Sequence, residues 1–111
     1  MSTSFLGIVK LMVGDIRVSV DFMGPFEFDF GTAGMEITLR APATIATLLD
    51  ALAEGWPGGR ELRRSLGDAT SARRRYCLVS VDYVAVAPEA VLDAPLRDGA
   101  RVCFAMPMVG G

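Results

Sequence analysis

The 111-residue sequence predicts an α+β domain, a mixed sheet packed on one main helix, and three observations carry that prediction. Two early segments alternate apolar and polar residues with a period of two, the mark of half-buried strands. A later segment repeats its large apolar residues at three and four positions, the period of a helix with one buried face. Further β-forming runs follow that helix, and strands and helices never alternate in the way that builds a doubly wound sheet. With 51% apolar residues the chain has enough material for one core, and no linker, repeat or low-complexity segment divides it.

Residues 7 to 13 alternate imperfectly and read as an N-terminal strand, with Gly14-Asp15 as the turn that follows. In the next run Ile16, Val18, Val20 and Phe22 share one parity while Arg17, Ser19 and Asp21 take the other, which defines a half-buried strand. Gly24-Pro25 breaks it. Phe26, Phe28 and Phe30 then crowd a short segment, read as core packing beneath a loop in preference to a ligand platform. Met35, Ile37 and Leu39 alternate with Glu36, Thr38 and Arg40 in a second strand, ended by Ala41-Pro42.

Thr44 is placed to cap a helix over about 45–54, whose apolar stripe is Ile45, Leu48, Leu49 and Leu52 and which Gly55 terminates. Trp56-Pro57-Gly58-Gly59 has turn chemistry, with Trp56 covering the helix end and the two glycines an ordinary loop. Leu62 and Leu66 share one face of a short second helical piece, followed by a polar loop from Gly67 to Ala72. Arg73, Arg74 and Arg75 join Arg60, Arg63 and Arg64 in a basic concentration. It reads first as a solvated loop and second as a docking patch for an acidic partner or a phosphate. Tyr76 to Val81 is a candidate central strand, Asp82-Tyr83 its turn, and Val84 and Val86 a short edge piece before Pro88. Val91 to Leu96 connects to a tight Asp98-Gly99 turn and the last strand, Arg101 to Ala105. Pro107 lacks a backbone donor, so ladder pairing is expected to stop there and the residues beyond it to form a tail.

Composition removes several functions. There is no histidine, hence neither the commonest general base nor the commonest metal ligand, and Cys77 and Cys103 are too far apart in sequence to make a zinc site. Both cysteines fall in strand-like runs and are expected to be buried free thiols in a reducing compartment. A net charge of −2 gives no general attraction for nucleic acid or an anionic membrane, and no aromatic residues interleave with the arginines for stacking. The apolar run Phe5 to Val13 is too short to span a bilayer, and Met1-Ser2-Thr3-Ser4 has no basic start for a secretory signal. The expected location is the cytoplasm, with no membrane or nucleic-acid partner, no metal and no bound cofactor. What remains as a chemical group is the final stretch, Arg101 to Gly111, which exits through Pro107 into Gly110-Gly111. A Gly-Gly end arises by chance on roughly one chain in two hundred, so the pair gains its weight from what the rest of the sequence lacks. Glycine admits close approach to the main chain, so this terminus fits a narrow slot in another protein.

Several segments resemble the ubiquitin-like sulfur carriers of the MoaD and ThiS group, most nearly MoaD, the small subunit of molybdopterin synthase. Phe22-Met23-Gly24-Pro25-Phe26 is similar to that family's aromatic-Gly-Pro step after its first strand. Ala43-Thr44-Ile45 with Leu48-Leu49 is similar to the start of its long helix, and Ala94-Pro95-Leu96-Arg97-Asp98-Gly99, with Val102 and Phe104, to the connector and strand before its Gly-Gly end. Asp82-Tyr83 stands where the family usually has Asn-Gly, and Met106-Pro107 where it has Pro-Pro. The resemblance runs from about residue 16 to the end. It implies a ubiquitin-like β-grasp domain over 16–105 and a flexible C-terminal tail over 106–111, while residues 1–15 have no counterpart in that family and form an N-terminal extension that holds the extra strand read at 7–13.

The resemblance also implies a mechanism. A carboxylate is a poor electrophile, so the Gly111 carboxylate, presented by Gly110, is activated as an acyl-adenylate by a ubiquitin-activating-like adenylyltransferase of the MoeB or ThiF type, which uses ATP. Sulfur displaces AMP and leaves a thiocarboxylate, a better nucleophile than a carboxylate oxygen by analogy with thiolates. The chain is then not an enzyme by itself but a sulfur-donating small subunit. Its acceptor is the molybdopterin synthase large subunit (MoaE type) or another sulfur-acceptor enzyme, and its contacts are Phe104, Met106, Pro107, Met108 and Val109. Phe104 is weighed equally as a core residue. The alternatives are a carrier for thiamine, cysteine, tRNA or secondary-metabolite thiolation, a ubiquitin-like protein modifier or interaction domain, and a structural domain whose glycines are incidental.

Overall fold

The computed structural model describes residues 14–106, so the expected N-terminal strand at 7–13 lies outside the described residues. Strand β1 (Asp15–Met23) pairs antiparallel with β2 (Gly34–Arg40), from Asp15 opposite Arg40 to Asp21 opposite Gly34. The alternation read from the sequence is the one observed: Ile16, Val18, Val20, Phe22, Ile37 and Leu39 are buried. Between the two strands, α1 (Pro25–Phe30) is a helix where a loop was expected. Proline fits its first turn because no N–H is needed there, and Gly31, at φ 71°, closes it in the left-handed conformation. Phe26 and Phe30 enter the core, Phe30 stacking on Phe22 with ring centroids 4.0 Å apart. Phe28 faces the other way and is 90% exposed, so only two of the three aromatics are packing residues.

A two-residue strand, β3 (Ala43–Thr44), leads into the main helix α2 (Ile45–Gly55). Thr44 caps it as expected, in a reciprocal box with Thr47: the Thr47 N–H donates to Thr44 Oγ1 at 3.4 Å and the Thr44 N–H to Thr47 Oγ1 at 3.1 Å. Ile45, Leu48, Leu49 and Leu52 have no exposed surface. The second helix, α3 (Pro57–Leu66), starts five residues earlier than its first leucine, directly after Trp56. Gly58 and Gly59 are therefore not an ordinary loop. A Cβ on Gly59 would fall on the Leu52 carbonyl, and one on Gly58 would lie 2.6 Å from the Asp29 carbonyl oxygen. The pair lets α3 close against α2 and α1, where Leu62 and Leu66 are buried.

Arg73 to Arg75 lie on a helical turn, α4 (Ala72–Tyr76), not in a loop, and the strand expected from Tyr76 is the shorter β4 (Leu78–Val81). β5 (Val84–Ala85), a 3-10 turn (Pro88–Ala90), β6 (Pro95–Leu96) and β7 (Arg101–Ala105) complete the described chain. β6 pairs with β3, and the main sheet runs β2-β1-β7-β4-β5. The central strand is thus β7, parallel to β1 and antiparallel to β4, while β4 lies one place from the edge. Alternating polarity could not reveal that order, because sheet position depends on long-range pairing. The helices cover one face of the sheet and leave the other open.

Gly59→Ala is expected to lower unfolding stability by about 1–3 kcal/mol through overpacking against α2. Gly55→Ala, where a Cβ meets nothing within 4 Å, is expected to be neutral or slightly stabilising. Urea titrations of the two variants check the contrast.

Candidate functional site

The end of β7 positions the start of the tail. Val102 and Phe104 point inward and are fully buried, Phe104 lying 6.2 Å from Phe22 between ring centroids. Of the two readings of Phe104, core packing is the one observed: an enclosed side chain is not a surface contact for a partner, which corrects its place among the docking residues. Met106 is partly buried against the core, and the chain leaves the sheet there. Pro107, Met108, Val109, Gly110 and Gly111 lie outside the described residues.

Gly24 holds the other side of this exit. It sits at φ +70°, and a Cβ on it would lie 2.8 Å from the Met106 carbonyl oxygen. The Phe22-to-Phe26 step read from the sequence therefore has a physical role at each of its packed positions. Phe22 stacks toward Phe104, Gly24 borders Met106, Pro25 opens α1, and Phe26 is buried beneath Arg73, whose guanidinium lies 5.6 Å from its ring centroid.

On the open face, beside this exit, lies a groove of about 560 Å³ lined by Asp21, Met23, Glu27, Tyr83, Arg101 and Cys103 among others. Arg101 Nε donates to Asp21 Oδ2 at 2.7 Å and Nη2 to Oδ1 at 3.3 Å, a two-pronged pair between β7 and β1. Asp21 holds the Arg101 guanidinium above its usual range, and the Arg101 backbone N–H donates to Asp82 Oδ1 at 3.0 Å. Asp82 and Tyr83 both have positive φ, 50° and 69°, the conformation that a tight hairpin between β4 and β5 demands. That demand is what makes Asn-Gly usual in such turns, and here Asp and Tyr adopt the same conformation.

The groove carries no evident reactive group. Cys77 is buried and Cys103 only half-buried, a correction to the expectation that both are enclosed; both are free thiols. Burial pushes Cys77 up to about 11, and burial with the nearby Asp21 carboxylate raises Cys103 too, so both stay protonated at neutral pH and make poor nucleophiles. Among the described residues no three His, Cys, Asp or Glu side chains gather as metal ligands, and no helix is long and apolar enough to cross a membrane. Much of the basic concentration is engaged within the fold. Arg63 pairs with Asp50 at 2.8 Å and Arg64 with Glu61 at 2.6 Å, while Arg73 Nη1, buried without a hydrogen bond, sits 3.6 Å from Asp29.

Gly24→Ala is expected to cost about 1–3 kcal/mol from backbone strain alone, with faster amide hydrogen exchange at Ala105 and Met106. The folded state retains the Cys77 proton to about 11 against an ordinary 9.0. The stability linked to that thiol is therefore present below 9.0 and is lost as pH rises toward 11. Urea midpoints across that range should fall in the native chain and fall less in Cys77→Ala, and native Cys77 should resist alkylation near neutral pH.

No family model matches the sequence, and no curated protein matches it. Solved structures do. The HVO 2177 protein of Haloferax volcanii superposes with a TM-score of 0.70 at 19% identity, over 88% of this chain and 89% of that one. SAMP1, the small archaeal modifier protein 1 of the same organism, gives 0.67 at 20%, over 86% and 99%. A chain from the complex of subunits 1 and 2 of the molybdopterin-converting factor of Helicobacter pylori gives 0.52 at 23%, over 86% and 100%. The architecture around the tail exit is therefore the ubiquitin-like β-grasp that these small proteins and subunits share.

Proposed function

We propose that this chain is a sulfur carrier whose Gly111 carboxylate is the working group and whose domain serves recognition and delivery. The observation that carries the reading is the position of β7: the last described strand runs through the centre of the sheet and ends at Ala105, six residues before Gly111 in the sequence. The lack of histidine and the protonated thiols support it. In the proposed cycle an adenylyltransferase of the MoeB or ThiF type joins the carboxylate to AMP and releases pyrophosphate from ATP. A sulfide equivalent then attacks the acyl carbon, AMP leaves, and Gly111 ends as a thiocarboxylate. The carrier binds no cofactor itself.

The proposed acceptor is a molybdopterin synthase large subunit, in keeping with the fold shared with a chain of the subunit 1 and 2 complex. Met106 to Val109 would seat the tail in that partner. The likeness to SAMP1 favours a second reading, in which the activated Gly111 forms an isopeptide bond with a lysine.

Intact mass spectrometry after incubation with ATP, an activating enzyme and a sulfur donor separates these readings. Exchange of one oxygen for sulfur at Gly111 is the expected result, and a lysine conjugate would favour the modifier. An unmodified terminus beside enzymes proven active on another carrier would contradict both.

A further inference from the structure

β2 forms one edge of the sheet, and its outer side is open for most of its length. Ala41 N–H donates to Gly14 O at 2.9 Å and Phe22 N–H to Ala33 O at 2.9 Å, which fixes the phase of the antiparallel ladder between them. Met35, Ile37 and Leu39 therefore turn their backbone groups toward β1, and Glu36, Thr38 and Arg40 turn theirs outward. Gly34 would also face outward, but the Thr32 hydroxyl donates to its carbonyl at 2.8 Å and accepts from its N–H at 3.3 Å. Three residues are left with unpaired backbone donors and acceptors among the described residues.

Gly34–Arg40 has no proline, lysine or bulge to blunt it, and its exposed charges, Glu36 and Arg40, are of opposite sign, so they repel a strand of like pattern only in some registers. The opposite edge, β5, is only two residues long and offers little to pair with.

We infer that the β2 edge pairs antiparallel with the β2 edge of a second copy of this chain, joining two five-stranded sheets into one. The register follows from charge. With Thr38 opposite Thr38 of the other copy, Glu36 faces Arg40 of the second copy and Arg40 faces its Glu36, and all three outward residues on each chain find partners. A shift in one direction calls on Gly34, which Thr32 already satisfies, and then sets Glu36 against Glu36. A shift in the other leaves Glu36 opposite Pro42, beyond the end of the strand and without a backbone donor, and then sets Arg40 against Arg40. On the inner side the same register brings Ile37 beside Leu39 of the second copy, extending an apolar row that is already almost fully buried. Among the described residues Glu36 is contested only by Arg17, at 3.6 Å and exposed. β1 separates this edge from β7, so pairing leaves Met106 and the groove uncovered, and a dimer presents two tails.

Sedimentation of the full chain over a range of concentrations tests the inference. The weight-average mass should rise toward that of a dimer, and Glu36→Arg or Arg40→Glu alone should weaken association roughly tenfold or more, since each puts like charges opposite twice. The double exchange Glu36→Arg with Arg40→Glu should restore it. Thr38→Pro removes a donor that β1 does not use, so it should give a folded monomer by circular dichroism. A chain that stays monomeric at every concentration overturns the inference. So does association that ignores all of these substitutions, or that is lost on deleting residues 1–13 while the edge variants leave it intact.

Discussion

The structure depends on the parallel pairing of β1 with β7, which joins the beginning of the domain to its end. Val20 lies opposite Val102 and Phe22 opposite Phe104, and the Asp21–Arg101 ion pair bridges residues 80 positions apart. Closing so long a loop costs chain entropy before any contact forms. The return comes from burying Val20, Val102, Phe22 and Phe104 in one core, where Phe22 stacks on Phe30 of α1. Because β7 is inserted between β1 and β4, its backbone is hydrogen-bonded on both sides and its exit point is fixed. A terminus that serves another protein's active site benefits from such an anchor, since a rigid root limits the conformations the tail must lose on binding.

Gly24 is the local consequence of that pairing. The turn after β1 must pass the carbonyl of Met106 at a distance that leaves no room for a side chain, in a backbone region that favours glycine. The same close-packing logic recurs at Gly59 against the Leu52 carbonyl, where it sets the spacing of the two larger helices. In both places glycine lets two backbones approach closely.

The sequence disclosed most where periodicity and capping act locally. β1, β2, α2 with its Thr44 cap, the Asp82-Tyr83 turn and β7 all follow from spacing read over a few residues. It disclosed least where tertiary contact overrides local chemistry. Pro57-Gly58-Gly59 has the composition of a turn, yet it opens α3 because the glycines meet α1 and α2 closely. Phe26, Phe28 and Phe30 differ in burial because helical, not extended, spacing decides which of them face the core. The arginines at 63, 64 and 73 read first as a solvated loop and second as a docking patch, and neither reading reveals their carboxylate partners in the fold. At the candidate site, Gly24 was legible as a strand break and as part of a familiar step, but its contact with Met106 needs the fold.

The proposed role rests on the Gly111 carboxylate; the sequence has no histidine, and burial keeps the Cys77 and Cys103 thiols protonated near neutral pH. The most direct measurement is ATP-dependent pyrophosphate release by a cognate activating enzyme, comparing the intact chain with one lacking Gly111. The account expects release with the intact chain and none above background with the shortened one, although both fold alike. Equal release from the two would contradict it.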